Sequence, residues 1–228
     1  MLLIIFVAFA LLSWIVSSKL KSKIAKYSNM PLNMSGAEVA QKMLHDNGIY
    51  DVTIHPTKGS LTDHYNPSNK TINLSEDIFY GRNISAAAVA AHETGHAVQH
   101  ATSYSMLELR TALVPLQNVS SKIVNIIFWV MFLGAFILPN LIPYELALQI
   151  IIAAYAVFTI FAFVTLPVEI NASQRAVNWL TTNGIVNGST RDCAVDALKW
   201  AAYTYVVAAL SSLATLLYYI MLLAGRRD

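Results

Sequence analysis

The chain has 228 residues, 56% of them hydrophobic and 12% charged, with a formal net charge of +2. That balance is too weakly basic to argue for a nucleic-acid partner, and so apolar a composition places the protein in a lipid bilayer. Cys193 is the single cysteine, which excludes an intrachain disulfide and suits a reducing compartment.

The first apolar segment, Leu2 to Val16, extends through Ser18. It reads as a membrane span rather than a signal peptide: no basic residue precedes it, and apolar residues continue past the small-residue pattern Ala8-Phe9-Ala10. A basic flank follows at Lys19, Lys21, Lys23 and Lys26. The polar stretch from Tyr27 to Asn118 is long enough for a small domain. Ser35 and Glu38 form a capping-box pattern that opens a helix through His45, and Asn47-Gly48 stops it. Strand candidates follow at Val52 to His55, Leu61 to Tyr65 and Thr71 to Leu74. The last two are joined by the turn-forming Asn66-Pro67-Ser68-Asn69, so a hairpin or three-stranded sheet is expected. Ile84 to Ala101, rich in Ala at its start, is the next predicted helix.

Pro115 predicts a break or kink before a second apolar segment, Ile123 to about Leu141. A third runs from Leu146 to Pro167 and a fourth from Ala201 to Ala224. None of these three contains Asp, Glu, Lys or Arg, and each approaches or exceeds the ~20 helical residues that cross a bilayer core. Between the third and fourth, Glu169 to Leu180 reads as helix and Thr181 to Gly188 as loop, with Ser189 and Asp192 capping the last helix. Arg110 and Lys122 precede the second segment; Arg175, Arg191 and Lys199 separate the third from the fourth; the Pro139 to Glu145 connection has no basic residue. Positive charge stays cytoplasmic, so the N-terminus is expected outside and both polar segments inside, with Arg226 and Arg227 opposing the trend.

His92-Glu93-Thr94-Gly95-His96 reads H-E-x-x-H. Two imidazoles four residues apart point from one helical face and can grip one Zn²⁺, while Glu93 beside them can take a proton from water. A catalytic zinc site needs a third protein ligand and an open position. His64, His100, Glu108, Glu145 and Glu169 are the candidates. Helix rise puts His100 ~12 Å from His92, too far for both to reach one ion easily. Glu145 falls on the opposite side of the membrane. Glu169 is preferred, because two crossings return it to the face that carries His96. The competing reading is an interfacial carboxylate reaching for water.

Gly36-Ala37-Glu38-Val39-Ala40, Leu61-Thr62-Asp63-His64-Tyr65, the H-E-x-x-H segment, Arg110-Thr111-Ala112-Leu113-Val114-Pro115 and Leu166-Pro167-Val168-Glu169 occur in this order along nearly the whole chain. In them the sequence resembles the YugP-type membrane zinc metallopeptidases of bacteria. The resemblance implies a neutral zinc peptidase with His92, His96 and Glu169 as ligands of one Zn²⁺. The layout is also similar to gluzincin peptidases, which often carry Asp four residues after the ligand Glu. Here that position is Ser173, so support for a zinc histidine is expected from Asn171 or Asp63.

The fold class expected is a mainly α integral membrane protein, about four transmembrane helices with a small α+β cytoplasmic metallopeptidase domain. Its parts are a first transmembrane helix (1–18), a metallopeptidase domain (19–118), a transmembrane hairpin (119–168), a cytoplasmic helix and loop with the third ligand (169–200), and a last transmembrane helix (201–228). The expected activity is zinc-dependent hydrolysis of peptide bonds at the cytoplasmic face of a bacterial cell membrane, with Glu93 as general base. Tyr65, His64, Tyr104 and Arg175 are candidate oxyanion donors. Partners are the lipid bilayer and protein or peptide substrates, membrane proteins among them. The alternative is a non-catalytic scaffold tied together by zinc. Transport is disfavoured, because the last three apolar segments hold no ionisable side chain of the acidic or basic kind.

Overall fold

The computed structural model describes residues 1–134 and 142–225. The end of the second apolar segment near Leu141, the start of the Pro139 to Glu145 connection and the Arg226-Arg227 flank lie outside the described residues. The chain is mostly helical with one small sheet. Helix α1, Leu2–Tyr27, runs straight through the lysine flank, and no Gly or Pro occurs along it to stop it. Helix α2, Gly36–Asp46, opens on the capping box legible in the sequence: Ser35 Oγ accepts the Glu38 N–H, and Glu38 accepts the Ser35 N–H at 2.8 Å. It stops at Asn47, followed by Gly48 with φ +70°, a left-handed conformation that glycine adopts without a Cβ clash.

Strands β1 (Thr53–Thr57), β2 (His64–Asn66) and β3 (Thr71–Ser75) form one sheet in the order β1-β3-β2. β1 runs parallel to β3, and β2 returns antiparallel to it through the Asn66 turn, where Asn66 Oδ1 accepts the Ser68 N–H at 2.9 Å. β2 is therefore an edge strand. After the short helix α3, Glu76–Phe79, comes α4, Ile84–Ala101, with the bounds predicted from the sequence. Asn83 caps it by accepting the Ala86 N–H at 2.9 Å. Small side chains from Ala86 to Ala91 let α4 sink into the core beside Val39, Leu44, Ile72 and Leu74.

Helices α5 (Ser105–Gly134), α6 (Tyr144–Thr182) and α7 (Gly188–Ala224) complete the described chain. With α1 they are, among the described residues, the four helices long and apolar enough to cross a membrane. Two expectations change here. α5 continues through Pro115 and α6 through Pro167, so the third apolar segment and the Glu169 segment are one helix. A proline in a helix withholds a single N–H, and long membrane helices tolerate that loss where neighbours or local adjustments compensate. The cap of α7 also differs. Thr190 Oγ1 accepts the Asn187 N–H at 2.8 Å, in place of a Ser189–Asp192 pair.

The chain divides into two units. One comprises Met1–Ser13, Leu109–Thr165 and the residues from Tyr205 onward. It exposes large apolar side chains such as Ile4, Phe6, Trp129 and Phe163, as lipid-facing surfaces do. The other, Trp14–Glu108 with Leu166–Thr204, holds the sheet, α2, α4 and the C-terminal end of α6. Lys23 and Tyr27 of α1 converge there on Asp196 of α7, at 2.7 and 2.5 Å.

Candidate metal centre

The 3.6-residue repeat of α4 carries His92 and His96 to one face, and α6 brings Glu169 against it. These side chains are buried: His92, His96 and Glu169 are 9%, 8% and 3% exposed. Glu169 Oε2 lies 3.3 Å from His92 Nε2 and 3.6 Å from His96 Nε2. One potential ligand atom from each residue falls within 4.8 Å of the others. Adjacent ligands of a tetrahedral zinc stand about 3.3–3.5 Å apart, as bond lengths near 2.0–2.2 Å require. Two of the separations thus already suit such an ion.

Two further observations fit a cation. Glu169 Oε2 is buried without a hydrogen-bond partner, a deficit that costs more than the 1–3 kcal/mol typical of neutral groups. Burial disfavours a charged His96, yet Glu169, Glu93 and Gln99 outweigh it and raise the imidazole above its ordinary pKa. The carboxylates of the pocket thus favour positive charge beside His96.

The outer nitrogens of both histidines are held. Gln99 Nε2 donates to the Val168 carbonyl at 2.8 Å and to Asn171 Oδ1 at 3.0 Å. Its Oε1 must then face His96 Nδ1, 3.0 Å away. A carbonyl oxygen accepts, so Nδ1 carries the hydrogen and Nε2 is left to coordinate. Arg175 Nε fixes Asn171 in turn at 2.7 Å. His92 Nδ1 meets Ser173 Oγ at 3.1 Å. Ser173 itself therefore does what was expected of Asn171 or Asp63. Asn171 acts one step back, through Gln99, and Asp63 accepts instead from Ser75 N–H and Oγ at 2.7 and 3.0 Å. Gln99 was not singled out in the sequence, although its place three residues after His96 on the same helix would have flagged it.

Glu93, 8% exposed, points to the sheet. Its Oε2 accepts the backbone N–H of Tyr65, on edge strand β2, at 3.0 Å. The Tyr65 hydroxyl meets His100 Nδ1 at 2.7 Å, so β2 is fastened to α4 twice. The other candidate ligands stay apart. His64 is exposed and bonds locally to the Thr62 carbonyl, His100 is engaged by Tyr65, and Glu108 and Glu145 are exposed. Among the described residues, only His92, His96 and Glu169 form a group able to hold a metal.

A family model described as "Putative neutral zinc metallopeptidase" matches residues 2–224. The chain belongs to this family. "Putative membrane protease YugP" of Bacillus subtilis (strain 168) is 42% identical to it over 219 residues, covering 95% of this chain and 94% of that relative. The resemblance carried by the sequence motifs is thus borne out. No solved structure matches the chain.

In this chain, Gly95 sets how closely the helices that carry His92, His96 and Glu169 approach. A Cβ there would stand 2.7 Å from the Ala172 carbonyl oxygen and 3.2 Å from Ala172 Cα. Both are backbone atoms and cannot turn aside. Helix propensity favours Ala over Gly by about 1 kcal/mol, but overpacking costs typically 1–3 kcal/mol, and here it separates Glu169 from the histidines. Gly95→Ala is expected to weaken zinc binding at least tenfold and to lower the melting temperature. Calorimetric titration and thermal unfolding in detergent would check both, and unchanged affinity would show that α6 yields without moving Glu169.

Proposed function

We propose that the protein is a membrane-bound, zinc-dependent endopeptidase in which His92, His96 and Glu169 hold one Zn²⁺ and Glu93 is the general base. The observation that carries this reading is the division of labour among buried groups. Three side chains converge, and the fourth, Glu93, stands beside them but is held by Tyr65. Structural zinc sites fill four positions with protein ligands, commonly Cys, whereas catalytic sites use three and leave one open. The ion would supply Lewis acidity, making water acidic near neutral pH and polarising a peptide carbonyl.

The remaining work falls to the chain's own groups. With Oε2 held by Tyr65 N–H, Glu93 Oε1 is the atom that takes the proton from the attacking water and returns it to the leaving amine. Gln99 and Ser173 keep the imidazoles oriented. β2 is an edge strand whose outward Tyr65 N–H is taken by Glu93, so an extended peptide pairing along it would have to displace that contact. Glu93→Gln keeps an acceptor for Tyr65 N–H but cannot take a proton. It is expected to lower cleavage of a casein-type substrate by at least ~10²-fold with zinc content unchanged. Wild-type cleavage by this variant would remove Glu93 as the base.

The four apolar helices tether this site to the membrane, so the substrates are proteins or peptides near its surface, membrane proteins included. The distribution of Lys19, Lys21, Lys23, Lys26, Arg175, Arg191 and Lys199 supports a cytoplasmic site. In a Cys193→Ala background, a cysteine at exposed Lys58 is expected to resist a membrane-impermeant maleimide in intact cells and to react after lysis. Labelling of intact cells would reverse the orientation.

A further inference from the structure

α6 and α7 are joined by a short turn and leave between them a groove of about 420 Å³. Its floor is apolar, formed by Ile170 and Val177 from α6 and by Val195, Leu198 and Ala202 from α7. These positions recur at intervals of three, four and seven, so each helix contributes one continuous stripe. Two cations, Arg191 and Lys199, stand on the wall, and no carboxylate lines the groove. Arg191 makes a loose 3.6 Å approach to Asp192, with both side chains well exposed. The Lys199 ammonium lies 5.8 Å over the Tyr203 ring. Both charges can therefore turn to a ligand at little cost.

The location narrows the occupant. The apolar run of α6 ends at Pro167 and that of α7 begins at Ala201, so the groove starts where both helices leave their membrane-compatible stretches. Trp200 and Tyr203 pack edge to face at 5.4 Å beside it, an aromatic pair of the kind found at headgroup level. The groove is also separate from the space in front of the candidate ligands. Ser173 on its wall touches the Nδ1 side of His92, while the Nε2 side faces Glu169. An occupant sits behind the imidazole and does not meet a scissile bond, which argues against a substrate pocket.

We propose that this groove binds one anionic phospholipid, its phosphate held by Lys199 at the membrane end, with Arg191 about two turns earlier on α7 adding positive charge farther along the groove, and the start of an acyl chain lying on Ile170, Leu198 and Ala202. The site does not depend on the peptidase reading. It differs from the lysine flank of α1, where the pocket beside Lys21, Ile24 and Ile78 also carries the carboxylate of Asp77.

Native mass spectrometry of the full chain in neutral detergent, titrated with phosphatidylglycerol or phosphatidylcholine of the same acyl chains, tests it. The wild type is expected to retain one phosphatidylglycerol in preference to phosphatidylcholine. R191A/K199A should reduce that adduct roughly tenfold or more, R191K/K199R should keep it, and K19A/K21A should leave it in place. Equal retention of the two lipids, an undiminished adduct in R191A/K199A, or an equal loss in K19A/K21A would overturn the proposal. Displacement of the lipid by inorganic phosphate at matched concentration would also overturn it, because it would mark a free-anion site. Should the alanine pair not fold, hydrogen exchange of the wild type decides. Protection of 188–202 by phosphatidylglycerol and not by phosphatidylcholine supports the lipid site, and no difference contradicts it.

Discussion

A carboxylate sealed from water needs positive charge or several hydrogen-bond donors, and Glu169 Oε2 has no donor. Two imidazole nitrogens approach it at 3.3 and 3.6 Å instead. Removing an ionised carboxylate from water without compensation costs several kcal/mol even after relaxation. The C-terminal end of α6 and the motif face of α4 are therefore joined through a position that a cation satisfies. Gly95 permits the approach, and Gln99 and Ser173 fix which imidazole nitrogen faces inward. Remove the convergence of these charges and the two helices have little reason to bury polar faces against each other.

This arrangement links membrane and chemistry through one element. α6 is continuous from Tyr144 to Thr182, so the helix that supplies an apolar, membrane-compatible stretch also supplies Glu169, Asn171, Ser173 and Arg175. The carboxylate is positioned by a rigid rod rather than by a loop, which favours a reproducible geometry. Glu93 is positioned separately, by the edge of a small sheet whose strands come from another part of the chain. Glu169 and Glu93 thus answer to different supports, and substitution of one need not displace the other.

Much of the site was legible before the fold. Four-residue spacing in H-E-x-x-H fixes a shared helical face, and the Ala-rich start marked α4 as Ile84–Ala101. The Ser35–Glu38 box and the Asn47-Gly48 stop act within one or two turns, where sequence and geometry are nearly the same thing. The topological reading that returned Glu169 to the side of His96 rested on counting apolar segments, a strong signal in membrane chains. Of the break or kink expected at Pro115, the break does not occur, because a proline is tolerated within a membrane helix, and α6 likewise continues through Pro167. Ser173 was passed over because its partner lies 81 positions away, and its value as a hydrogen-bond partner appears only once the helices pack. Gln99 joins residues 69 and 72 positions distant for the same reason, although its spacing from His96 was visible.

The most direct measurement is X-ray absorption at the zinc edge of the purified chain, wild type beside Glu169→Ala. The expected wild-type spectrum has one zinc per chain with two imidazole nitrogens at about 2.0–2.1 Å and oxygen from a carboxylate at about 2.0–2.2 Å, and the variant loses the ion or replaces that carboxylate with water. A sulfur ligand, or an identical first shell with and without Glu169, would contradict the assignment of the metal to His92, His96 and Glu169.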